Sequence, residues 1–165
     1  MINFIEIENT LNRLEQEFAS CSDIQMSILY SKLAVLELCG WIEISIDTIL
    51  DEYVDRNIID ADCKKGIKNI IKKNHGFHYD NNLFPLFCSV LGINNLENII
   101  DILPSVNFQN LKAITDVYTR ERNKAAHTDT PLGTTRTYKA PSQVLTDFNL
   151  IKPAFQIIET EIQKL

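Results

Sequence analysis

The sequence predicts an all-α protein, an up-and-down bundle with short helices inserted before the last long pair. Three observations carry this. Apolar residues recur three and four apart along most of the 165 residues. No run of strict apolar and polar alternation marks a strand. Capping pairs, prolines and glycines stand where the periodic stretches begin and end. With 45% apolar residues the chain can bury one core and is short for two, so a single domain over residues 1–165 is expected. It carries no internal repeat and no low-complexity run.

Asn3 with Glu6 reads as a capping box, and Phe4, Ile7, Leu11, Leu14 and Phe18 form the apolar face of a first helix ending near Ser20. Ser22 with Gln25 reads as a second box, opening a long central helix to about Arg56. Its core stripe is Val35, Cys39, Ile42, Ile46, Ile49 and Tyr53; Glu43, Asp47 and Asp51 mark the wet side. Leu29, Leu33, Leu36 and Trp41 add apolar surface beyond that stripe, so packing on more than one side is expected, with Gly40 admitting a close neighbour. Asp60 caps a third helix with Ile67, Ile70 and Ile71 inward and Lys64, Lys65, Lys68, Lys72 and Lys73 outward; the sequence His75-Gly76-Phe77-His78 ends it.

A short helix follows over residues 83–91, with Pro85 near its start and Gly92 just past its end. Asn94 with Glu97 caps another, which Pro104 stops. From Ser105, Phe108, Leu111, Ile114 or Thr115, Tyr118 and Ala125 carry a long helix to about His127, and Pro131 follows its end. Residues 128–140 form the longest stretch without helical periodicity. Ser142 after Pro141 starts the last helix through Val144, Phe148, Ile151, Phe155, Ile158 and Ile162, with a kink expected at Pro153.

The four cysteines, at 21, 39, 63 and 88, make no C-x-x-C pair, which argues against a zinc site or a disulfide framework; they read as reduced core residues. No leader-like start and no uninterrupted apolar span is present, so a cytoplasmic protein without a membrane partner is expected. The net charge of −6 disfavours nucleic acid as a whole-molecule argument, but it is unevenly spread. Residues 1–60 hold three Lys/Arg against twelve Asp/Glu, whereas residues 61–140 hold eleven against seven. A locally basic surface can meet phosphate on an acidic protein.

The chemistry gathers in Tyr118-Thr119-Arg120-Glu121-Arg122-Asn123-Lys124-Ala125-Ala126-His127-Thr128. Arg120, Asn123, Lys124 and His127 share one helical face, with Arg122 on the adjacent face five residues before His127. Histidine titrates near working pH and arginine offers a permanent planar fork to phosphate oxygens. The ordinary alternative is a helix C-terminus, where cations are favoured by the dipole alone. Arg136 and Lys139, in the aperiodic stretch next to His127, are better placed than the lysine helix to touch a polyanion. His75 and His78 lie three apart but lack an acidic or cysteine partner at a supporting spacing, so no metal and no cofactor is expected.

Arg122-Asn123-x-x-x-His127 resembles the R-x4-H signature of HEPN domains, small helical proteins that include many metal-independent ribonucleases. Residues 33–43 are similar to the early central helix of one HEPN branch, and the helix order covers nearly the whole chain. The resemblance implies an endoribonuclease acting on RNA, with Arg122, Asn123 and His127 catalytic and Arg120, Lys124, Arg136 and Lys139 binding substrate. It also implies a homodimer pairing two signatures, the small Ala125 and Ala126 being consistent with close helix approach. A role in toxin or antiphage systems follows, with a partner such as a nucleotidyltransferase antitoxin. The rival reading is a non-catalytic helical module that binds a nucleotide or serves a larger complex.

Overall fold

The computed structural model describes residues 1–126 and 137–165. Among these, seven α-helices and one π-helical turn account for the regular structure, and no strand occurs: α1 (Phe4–Ser20), α2 (Ile24–Asn57), α3 (Ala61–Lys72), the π turn (Tyr79–Leu83), α4 (Phe84–Leu91), α5 (Ile93–Ile102), α6 (Ser105–Ala126) and α7 (Pro141–Lys164). No single described helix is long and apolar enough to cross a membrane.

The bundle is built around α2 and α7, which run in the same direction. Trp41 packs on Phe148 and Phe155 with ring centroids 5.2 and 4.9 Å apart, and further along both helices Arg56 Nη2 donates to the Ile162 carbonyl at 2.9 Å. Helix α1 runs antiparallel to α7 on one side, since Lys152 meets Glu8 at 2.7 Å while the Ile2 N–H donates to the buried Glu159 carboxylate at 2.6 Å. Helix α6 runs antiparallel on the other, with Tyr118 beside Asp147 and Leu111 beside Ile158 and Ile162. The buried apolar residues of these helices join those of α4 and α5 in one cluster, in which Tyr118, Phe148 and Phe155 are almost fully enclosed. Burying one such ring contributes about 2–3 kcal/mol.

The periodicity of α1, α6 and α7 matches the buried faces closely: Ile7, Leu11 and Leu14; Leu111, Ile114, Thr115, Tyr118 and Ala125; Val144, Phe148, Ile151, Phe155, Ile158 and Ile162. Helix α2 departs from its expectation. It has 34 residues against 17 in α1, 22 in α6 and 24 in α7, so part of it runs past its neighbours. Leu29 and Leu33 are exposed, while Ala34, Leu38, Leu50 and Val54, off the expected stripe, are buried. Among the described residues nothing lies within 4 Å of where a Gly40 Cβ would stand, so the expected close approach does not occur there. In α3 only Ile71 is deeply buried, and Ile70 faces out.

Several caps also differ. Asn3 accepts from the Glu6 N–H at 3.1 Å as expected, but the cap of α2 is Asp23, whose carboxylate takes the Gln25 N–H at 2.8 Å, and not Ser22. A carboxylate is the better acceptor at a positive helix end. Helix α5 begins at Ile93, directly after Gly92, so Asn94 lies inside it; Gly92, at φ 82, is the one residue with positive φ among the described residues and turns the chain between α4 and α5. Helix α7 starts at Pro141, one residue before the expected Ser142, and continues unbroken through Pro153. Of the four free cysteines only Cys39 is buried, and Cys63 is exposed.

The π turn was not foreseen. His78 precedes it, with Nδ1 accepting the Asn81 N–H at 3.4 Å and Nε2 3.1 Å from Asp116 on α6. Both ring nitrogens are thus engaged inside the chain, which explains this histidine without a metal.

Candidate functional site

The last turns of α6 carry Arg120, Arg122, Asn123 and Lys124 to the end of the bundle where α2 and α7 are in their first halves. His127 and Arg136 lie outside the described residues. Side chains on a helix lean toward its N-terminus, so on antiparallel helices α2 and α6 the side chains of Glu43 and Arg122 lean toward a common level. That level is set by Cys39 and Tyr118, whose thiol and carbonyl meet at 3.7 Å. There Arg122 Nη2 lies 3.1 Å from Oε1 and 3.3 Å from Oε2 of Glu43, in an ion pair with side-chain exposures of 36% and 28%.

Burial pushes the Cys39 thiol up to about 12; Arg122 opposes this and the carboxylates of Glu43 and Glu121 add to it. Such a thiol stays protonated and serves packing, not nucleophilic chemistry. One turn along α2, burial raises the Asp47 carboxyl to about 6, with Asp51 and then Glu43 contributing by repulsion. The side of α2 expected to be wet is therefore a half-buried acidic ridge, on which Asp51 Oδ1 is enclosed without a hydrogen-bond partner.

The expected contact residues divide into two sets. Arg120, 68% exposed, pairs with Asp116 at 3.2 Å, and Asn123 is exposed beside it. Lys124 and Lys139 instead engage neighbours within the chain. The Lys124 ammonium donates to the Thr137 carbonyl, lies 5.3 Å from the Tyr138 ring centroid and is 3.7 Å from Glu121. Lys139 bonds Asp147 at 2.6 Å and stands 5.1 Å from the Tyr118 ring centroid. Asp147 also accepts the Tyr118 hydroxyl at 2.9 Å, and burial followed by the Asp147 charge raises that phenol well above its ordinary range. Ala125 is buried in its own bundle, so of the two alanines only Ala126 presents an outward surface.

Sequence reasoning missed the partners. Glu43, Asp147 and Glu121 carry no motif, although an acidic residue inside the apolar run of residues 33–50 was a usable signal for Glu43. Among the described residues no group of three or more His, Cys, Asp or Glu is arranged to hold a metal ion. No model of a known protein family, no curated protein and no solved structure matches the chain.

Proposed function

We propose that the chain is a HEPN-type, metal-independent endoribonuclease. The observation that supports this best is Arg122, held at the last turns of α6 by Glu43 through a single nitrogen, about one-third exposed, with Asn123 next to it and His127 five residues on in the sequence. Both contacts to Glu43 run through Nη2, with one hydrogen bond to Oε2, so the other N–H of Nη2 and the Nε or Nη1 N–H beside it form an edge that can address two oxygens of a phosphate. An RNA 2′-OH attacks the adjacent phosphorus while one histidine takes its proton. Arg122 offsets the charge developing on the non-bridging oxygens. The bond to the 5′ oxygen breaks as that oxygen takes a proton, leaving a 2′,3′-cyclic phosphate and a 5′-hydroxyl. One imidazole per chain cannot be base and acid at once, so a homodimer supplies the second. In this reading the cell contains a partner, such as a nucleotidyltransferase antitoxin, that restrains a toxin or antiphage effector.

A second reading, a non-catalytic helical module, is favoured by the same ion pair, since an arginine clamped to Glu43 also serves to hold α6 on α2. Expression of the wild type and His127→Ala in one host separates the two. Growth arrest with RNA fragmentation in the wild type alone supports the nuclease; identical behaviour of both supports the module.

A further inference from the structure

The outer edge of the bundle, away from α6, holds a cleft of about 460 Å³ between α1 and α2. Gly40 and Trp41 form its floor, and Ile7, Leu36 and Ile44 its walls. Gly40 gives depth, because a Cβ there would meet nothing within 4 Å. The wall extends along α2 as Leu29, Leu33, Leu36, Gly40 and Ile44, a stripe at spacings of four and three. Leu29, Leu33 and Ile44 are 51%, 39% and 68% exposed, so no described element of the bundle covers the stripe. A stripe of this period over a glycine is what an apolar helix face packs against.

The charges around it select the occupant. Among the described residues the charged side chains lining the cleft are Glu6 and Glu37, the Met1 ammonium at its edge is paired with Glu52, and the two helices that form the cleft belong to a segment with three Lys/Arg against twelve Asp/Glu. A two-fold contact between copies would set this acidic face against itself, which costs affinity. The chain's own basic helix is not available either, since Ile71 of α3 is buried and Lys64 and Lys68 are paired with Asp55. We infer that the α1/α2 cleft docks an amphipathic helix of a different protein, one whose apolar stripe is flanked by lysine or arginine. This inference is independent of the nuclease reading.

Trp41 is the only tryptophan of the chain, so it reports binding directly. The full chain is titrated with a tryptophan-free synthetic helix bearing a leucine stripe flanked by lysines, and with its twin flanked by glutamates. The lysine peptide is expected to change Trp41 emission saturably and to bind about tenfold or more tighter than the twin, less so at high salt. Ile44→Glu, at an exposed position, should weaken it by a similar factor, and Glu37→Lys should reverse the preference between the peptides. Circular dichroism confirms that each variant is folded. Equal affinities, or no emission change with either peptide, overturn the proposal. So does sedimentation showing that Ile44→Glu dissociates a homodimer, which would assign the cleft to a second copy.

Discussion

Arg122 and Glu43 tie α6 to α2 through one guanidinium nitrogen, Nη2, which lies 3.1 Å from Oε1 and 3.3 Å from Oε2. The pair is about one-third exposed on each side, so its worth to stability is small, about 0.5–1 kcal/mol. Its orienting effect is larger in consequence, because a long arginine side chain left without a partner samples many rotamers.

Glu43→Gln should therefore leave the fold intact and lower single-turnover cleavage about tenfold. RNA affinity should stay within about threefold, and Glu43→Asp should recover part of the rate. The measurement sets rate beside affinity and thermal unfolding. A rate that rises in Glu43→Gln would mean that Glu43 withholds the guanidinium from phosphate instead of aiming it.

Asp47 gives the protein a pH-dependent stability with a definite sign. Its carboxyl titrates near 6 when folded and near 3.8 otherwise, so the protonated form is favoured by folding. Stability from this group is complete below 3.8 and is lost as pH rises through 6. Asp47→Asn should gain on the wild type between pH 4 and pH 7 by about 1 kcal/mol, the full linkage value being reduced because the group is partly solvated and screened. Urea unfolding at the two pH values checks this. A constant difference would show that Asp47 does not titrate in that window.

Tyr118→Phe removes the hydroxyl that donates to Asp147 at 2.9 Å at a position with no exposed surface. A hydrogen bond to a charged acceptor is lost while Lys139 remains on the same oxygen, so the cost should be about 2 kcal/mol. Thermal unfolding measures it, and an unchanged midpoint would mean that Lys139 alone satisfies Asp147.

Much of this fold was legible from the chain because apolar spacing is a property of single helices. The faces of α1 and α7 follow from residues such as Leu11 and Phe155, which need no knowledge of neighbours. What depends on neighbours was not legible. Leu29 and Leu33 have the right spacing for a core but lie on a side of α2 that no described helix covers, and Asp47 looks like a solvent residue until its burial is seen. At the site, Arg122 and Asn123 are visible as a motif, whereas Glu43 lies 79 residues away and is brought to Arg122 only by helix packing. Lys124 and Lys139 read as polyanion contacts because sequence shows charge and not the Thr137 carbonyl or the Asp147 carboxylate that engage them.

The most direct test of the nuclease account separates charge from geometry at Arg122. Arg122→Lys keeps the cation and can still pair with Glu43, but it loses the planar fork that addresses two phosphate oxygens together. Single-turnover cleavage of a labelled RNA is measured in EDTA for the wild type and for Arg122→Lys, with circular dichroism confirming the fold. The account predicts that the wild type cuts in the chelator and that Arg122→Lys is slower by roughly two to three orders of magnitude, with little change in RNA affinity. A folded Arg122→Lys that cuts at the wild-type rate, or a wild type that cuts only when a metal ion is restored, would contradict it.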